Sequence, residues 1–205
     1  METLSFLFVP PSLLATAVMA ASAAIQAHRA EMDPFGATVL AIATAMGGGT
    51  LRDLFLGLTP VFWIRDVRFL AVAVPIALIS FVIATRMSAG NGRRFQALMH
   101  LDAIGLALFT LTGVQVAMDA GTSPILAIVI GCITGTAGGM IRDLLCNMTP
   151  SLLKEDLYAT LSLVGGGAYL LLLQITDNTV AAVASFALIL IARIAVLRYA
   201  PPARE

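Results

Sequence analysis

Charge is scarce in this chain, with 12% of its 205 residues being Asp, Glu, Lys or Arg, about half the roughly 25% of a typical soluble domain. That density excludes an ordinary water-facing globule and points to a membrane protein. The charges also balance, 12 basic against 12 acidic, so no bulk potential recruits nucleic acid, and none is expected as a partner. Cysteine is limited to Cys132 and Cys146, with no CxxC or Cys/His ligand spacing around them, and a structural metal or redox pair is not expected. His28 and His100 are the only histidines. With no GxSxG, HExxH, Walker A or dinucleotide fingerprint present, neither an enzyme nor a cofactor is expected. The first residues lack a basic n-region and a small-residue cleavage site, since Glu2 is the sole charge before a long apolar run. The first segment is therefore read as a retained span.

Apolar length, by contrast, is plentiful, and 59% of the residues are hydrophobic. Crossing the hydrocarbon core takes about 20 mostly apolar residues. Such runs fall at about 8–28, 35–57, 67–86, 99–119, 123–147, 157–176 and 179–198. Turn-forming clusters separate them, including "EMDP", "SAGNGRR", "DAGTSP" and "TDN". The expectation is an all-α membrane protein of seven transmembrane helices in a single transmembrane domain, with no connection long enough for a soluble one.

Basic residues in short loops favour the cytoplasmic side. An outside N-terminus places Arg29, then Arg86, Arg93 and Arg94, then Lys154, then Arg198 and Arg204 inside, against Arg65 and Arg68 outside. A multi-pass protein of the inner (plasma) membrane with a cytoplasmic C-terminus is the expected orientation.

The segment "TAMGGGTLRDLFLGLTP" at 44–60 aligns without gaps to "TGTAGGMIRDLLCNMTP" at 134–150, with eight of seventeen positions identical. The offset of 90 also matches Pro34 to Pro124. Three spans lie in each half, an odd number, so the second and fifth spans run in opposite directions. This predicts a 3+3 inverted-topology repeat, about 8–86 and 99–176, with an extra helix at about 179–198. Transport proteins recurrently use such repeats, with the site at the interface of the halves.

Each motif carries glycines within a span, Gly47, Gly48 and Gly49 in one and Gly138 and Gly139 in the other. A helix loses roughly 1 kcal/mol per Gly relative to Ala, so a bend or short unwound stretch is one expectation. Close approach of neighbouring helices is the other. Charges within a span need protein, a partner or water around them. Arg52 follows Gly48 by four residues and Asp53 follows Gly49 by four, so each shares a helix face with a glycine. Thr44, Gly48 and Arg52 form a small and polar stripe, repeated as Thr134, Gly138 and Arg142; opposed, the two stripes could line a hydrated path. Arg52–Asp53 and Arg142–Asp143 read equally as ion pairs that pin the fold, within or across the repeats, and as ion contacts or gates. Further polar residues within spans are Thr16, Ser22 and Gln26, and Asp102, Thr110, Thr112 and Gln115. Asp102 is expected to be a solvated carboxylate at a helix end, with a pore-mouth cation attractor as the second reading. Pro75 and the "GGG" at 165–167 are read as kinks or packing notches.

Two GG-x-x-R-D signatures, "GGGTLRD" and "AGGMIRD", each followed by T-P in a seven-span, three-plus-three arrangement, resemble the prokaryotic branch of the trimeric intracellular cation (TRIC) channel family. The resemblance covers nearly the whole chain. It implies a homotrimer in a lipid bilayer, each protomer holding its own hourglass pore for monovalent cations, chiefly potassium. It further implies that glycine-kinked second and fifth helices shape the pore and that the first and fourth complete it. By motif match the kinks are Gly47, Gly48 and Gly49, and Gly138 and Gly139; Ala137 replaces a glycine in the second copy, which implies a milder bend there. The alternative is a secondary transporter of a small zwitterion such as glycine, because broken helices expose amides for a carboxylate and carbonyls for an amine.

Overall fold

The computed structural model describes residues 2–86, 92–154 and 157–199, and all regular structure among them is helical. The long helices are α1 (Glu2–Arg29), α2 (Pro34–Phe55), α4 (Arg68–Arg86), α5 (Arg93–Asp119), α6 (Pro124–Leu145) and α9 (Asn178–Tyr199). Between them lie α3 (Phe62–Arg65), α7 (Ser151–Lys154) and α8 (Tyr158–Leu172). Six described helices are long and apolar enough to cross a membrane, and α8, with 15 residues, is shorter. The segment expected at 157–176 thus ends its regular helix at Leu172, although its chain continues to Thr176 in tight turns. The span expected from residue 99 begins at Arg93 instead, giving α5 27 residues and a length of about 40 Å. The four-residue helices α3 and α7, one after each T-P, were not foreseen.

Local chemistry explains the ends of α2 and α6. Pro34 and Pro124 occupy the first helical position, where their missing N–H costs no hydrogen bond. Asp33 caps α2 by accepting from the Gly36 amide at 2.7 Å. At the other end, Gly57 and Asn147 adopt the left-handed conformation, with φ of 67° and 55°. Leu58 N–H donates to the Asp53 carbonyl at 2.8 Å, and Met148 N–H to that of Asp143 at 2.9 Å. Both helices therefore close with the same 6→1 cap, using the two residue types that best tolerate positive φ.

In the middle of the bundle α1, α2, α5 and α6 pack on one another, with α4 against α1 and α2 and the pair α8–α9 against α5 and α6. Small residues make this closeness possible. Ala20, Ala23, Ala24 and Ala27 of α1 and Ala37, Ala41 and Ala45 of α2 are all buried, as expected where helices associate by close contact in lipid. The outer helices carry the opposite pattern, exposing Leu78, Ile79, Val82 and Ile83 on α4 and Val183, Leu188 and Ile191 on α9. Such a surface suits acyl chains and not water.

Helix α2 is uninterrupted across Gly47–Gly49, and α6 across Gly138–Gly139. The expected unwound stretch is thus absent: the helix continues through these turns, and the missing side chains are used for packing. A Cβ on Gly48 would collide with the backbone carbonyl of Thr134, and one on Gly138 would lie 2.5 Å from that of Thr44. Gly165 is likewise a notch, filled by the side chain of Ile189.

Candidate functional site

The crossing of α2 and α6 is built from four residues used reciprocally. Gly48 faces the Thr134 carbonyl and Gly138 faces that of Thr44, so adding 90 to one contact produces the other. Residue 44 lies near 138 and residue 48 near 134, so the helices run antiparallel. The two threonine-glycine stripes therefore meet face to face, and Thr44 and Thr134 are fully buried between them. Their hydroxyls donate one turn back, Thr44 to the Leu40 carbonyl at 2.7 Å and Thr134 to that of Ile130 at 2.6 Å. What meets at the crossing is packed backbone and methyl groups.

The antiparallel register also sets the depth of the charges. Arg52 is level with the region of residue 130, and Arg142 with that of residue 40. At 1.5 Å per residue the two arginines stand about 18 Å apart along the helix axes, on opposite sides of the crossing. They flank the closest approach at two levels; each pairs with the aspartate of its own motif, Arg142 also pairs with Asp102 of α5, and neither pairs with an aspartate of the other motif.

On one side, Arg52 binds Asp53 through Nε at 2.8 Å and Nη2 at 2.7 Å, both to Oδ1. The second oxygen of Asp53 accepts the Phe62 amide at 2.7 Å. Phe62 begins α3, so the carboxylate holds the short helix over the end of α2. The Phe62 ring lies beside Gly49, where a Cβ would overlap it, and the Arg52 guanidinium sits 5.3 Å from its centroid. Trp63 adds a bond from Nε1 to Thr50 Oγ1 at 3.0 Å.

The opposite side repeats this scheme and adds to it. Arg142 donates from Nε to Asp143 Oδ1 at 2.9 Å, and Asp143 Oδ2 accepts the Ser151 amide at 3.1 Å at the start of α7. Arg142 Nη1 also donates to Ser22 Oγ at 2.6 Å and to Asp102 Oδ1 at 2.8 Å. Asp102 Oδ2 accepts from the Tyr158 hydroxyl at 2.7 Å. The Arg193 guanidinium lies over the Tyr158 ring at 4.6 Å. Asp102 is 1% exposed, which corrects its reading as a solvated helix-end carboxylate. Because α5 starts six residues earlier than expected, Asp102 sits about two and a half turns inside it, facing α6.

The two sides thus differ although their motifs match. Ser12 stands 90 residues before Asp102, and Arg68 stands 90 before Tyr158. Tyr158 and Arg193 escaped the sequence reading. A signal for Arg193 existed: Ala181, Ser185, Ile189 and Arg193 recur every four residues along α9, and all four are buried.

Of the other polar residues within spans, four have side chains with partners in their own or a neighbouring helix. Gln26 accepts from Arg29 at 2.8 Å, Thr110 pairs with Ser162 at 2.6 Å, Thr112 returns to the Leu108 carbonyl, and Gln115 donates to Asp119 at 2.9 Å. Thr16 Oγ1 is buried without a hydrogen-bond partner among the described residues. No group of three or more metal-ligating side chains occurs among the described residues.

A family profile described as "Glycine transporter" matches residues 11–85 and 99–174, the two halves of the chain. The UPF0126 membrane protein of Vibrio cholerae is 43% identical over 75% of this chain and 63% of its own length, so the match leaves about a third of that relative uncovered. The UPF0126 inner membrane protein YadS of Escherichia coli is 41% identical over 75% of this chain and 73% of its own. Among solved structures, the TRIC trimeric intracellular cation channel orthologue from Rhodobacter sphaeroides superposes with a TM-score of 0.88 at 34% identity, covering 94% of this chain and 98% of that one. With profile, relatives and fold in agreement, the chain belongs to the bacterial membrane-protein family that contains the prokaryotic TRIC channels.

Proposed function

We propose that this protein is a passive channel for monovalent cations, chiefly potassium, with seven spans arranged as a 3+3 inverted repeat plus a last helix. The carrying observation is the reciprocal Gly48–Thr134 and Gly138–Thr44 contact, flanked on both sides by arginines that are already neutralised. All these residues belong to one chain, which supports a path within each protomer of a homotrimer. In the described conformation the crossing is shut by backbone contact, and conduction follows when α2 and α6 separate there. The glycines make such a separation cheap, since no side chains have to be withdrawn.

Cation preference follows from the pairing. An unpaired arginine in a low-dielectric path repels cations, whereas one hydrogen-bonded to a carboxylate presents little net charge. Asp53 does this for Arg52, and Asp102 with Asp143 does it for Arg142. Asp102 acts as part of this neutralisation and not as an exposed attractor.

An outside N-terminus in the inner (plasma) membrane fits the charges of the loops. The two arginines assigned outside are tied up locally, Arg68 by Asp66 at 2.6 Å and Arg65 by the Thr59 carbonyl at 2.8 Å.

The competing reading, a carrier for a small zwitterion such as glycine, is favoured by the description of the matching family profile. It requires broken helices that present free amides and carbonyls, and α2 and α6 keep theirs in helical bonds. Purified protein in a planar bilayer under a potassium gradient decides the matter. Unitary potassium currents are expected, and saturable glycine uptake by proteoliposomes without unitary events would sink the channel reading.

A further inference from the structure

The helix outside the repeat is connected to the motif of the second half by a chain of polar contacts that the first half lacks. Arg193 of α9 is fully buried, and its guanidinium lies 4.6 Å above the Tyr158 ring. The Tyr158 hydroxyl donates to Asp102 Oδ2 at 2.7 Å, and Asp102 Oδ1 accepts from Arg142 Nη1 at 2.8 Å. Gly139 lies against the junction, since a Cβ there would come within 3.1 Å of both Asp102 Oδ1 and the Tyr158 hydroxyl. Four elements, α9, α8, α5 and α6, are joined in series. On the equivalent face of α2, Gly49 meets the Phe62 ring instead.

From this geometry we infer that Arg193 is a positioning residue for the α2–α6 crossing, holding Arg142 in place through Tyr158 and Asp102, so that α9 controls when α6 leaves α2. The inference rests on the channel reading only for its consequence in conduction; the connection itself concerns the position of α6. Each link has a physical role. The cation over the ring face fixes the ring plane. The ring fixes the direction of its hydroxyl, which supplies one oxygen of Asp102 with a donor and leaves the other for Arg142. A buried carboxylate deprived of one donor turns to recover it, and Arg142 loses its tie to α5, keeping only Asp143 on its own helix and Ser22 of α1. Arg52 has a single carboxylate and a phenyl ring in place of this series, so α9 acts on one half of the repeat.

The test uses the intact protein with Cys132→Ala, so that Cys146 at the end of α6 is the single thiol. Its modification rate by a water-soluble methanethiosulfonate reports the freedom of α6, and open probability in planar bilayers reports the crossing. Tyr158→Phe keeps the ring and removes the hydroxyl; Arg193→Met removes the cation; Arg193→Lys retains it. Tyr158→Phe and Arg193→Met each raise both readouts by about tenfold, the change produced by losing one charge-assisted hydrogen bond. Arg193→Lys stays near wild type. The double variant Tyr158→Phe/Arg193→Met matches either single one, because contacts in series are lost once. Additive effects in the double variant, or a lysine no better than methionine, overturn the inference. Should Arg193→Met fail to fold, an unchanged Cys146 rate in Tyr158→Phe overturns it alone. A wild-type protein that is silent in bilayers but keeps the thiol pattern rejects the channel reading and retains the connection.

Discussion

Gly48 of α2 rests on the backbone carbonyl of Thr134 in α6, with no side chain between the two helices. Backbone cannot step aside as a rotamer can, so this contact is the least forgiving in the bundle. Gly48→Ala forces the helices apart and lowers stability by about 1–3 kcal/mol, the usual range for overpacking. It also raises basal conductance. Gly47→Ala is the control: its Cβ meets the flexible end of Ile141, and the gain in helix propensity, about 1 kcal/mol, offsets that rearrangement. Thermal unfolding in detergent, with bilayer recording on the same preparations, checks both.

Asp102 is buried against Arg142 and Tyr158. Asp102→Asn leaves the guanidinium with Asp143 and one fewer compensating charge, and stability falls by about 3 kcal/mol, as when one partner of a buried pair is removed. Adding Arg142→Gln recovers part of that loss, because the uncompensated charge is then gone. The midpoint shifts of the two single variants and the double variant measure the coupling.

The unequal surroundings of the two arginines give unequal consequences for conduction. Asp53→Asn exposes the Arg52 charge and lowers unit potassium conductance severalfold. Asp143→Asn has the smaller effect, since Arg142 keeps Asp102. Single-channel amplitudes in symmetric potassium chloride rank the two variants, and equal losses would contradict the proposed neutralisation.

Phe62 covers Gly49 and the Arg52 guanidinium from one side. Phe62→Ala removes that cover and lowers stability by about 2 kcal/mol, from lost burial and lost cation–π contact. Trp63, the sole tryptophan, is its neighbour and is bonded to Thr50. Its emission therefore shifts to the red in Phe62→Ala and stays unchanged in Tyr158→Phe, which alters the other side.

The helical plan was legible from the sequence because apolar runs bounded by proline, glycine and aspartate leave few choices. The motif copies at 44–60 and 134–150 also mark the two helices that meet at the Gly48–Thr134 and Gly138–Thr44 contacts. Depth is not legible in the sequence: two identical Arg-Asp dipeptides do not say whether their charges share a level, and antiparallel packing places them on opposite sides of the glycines. Apolar run length starts this helix at residue 99, near Asp102, whereas the polar turn from Arg93 is also helical and puts the carboxylate well inside. Glycine weakens an isolated helix, but here the neighbouring helix fills the notch, and tertiary packing outweighs propensity. The partners Tyr158 and Arg193 have no copies in the first half, so the repeat gives no signal for them.

Arg52 and Asp53 are neighbours in the chain, and so are Arg142 and Asp143. A charge at mid-bilayer costs several kcal/mol when it arrives alone, yet here each positive group brings its own counter-charge one residue away. These pairs need no other helix to form. The bond from Arg142 to Asp102, by contrast, must wait until α5 and α6 have met. The local pairs thus depend on one helix alone, and the long-range pair on the docking of two.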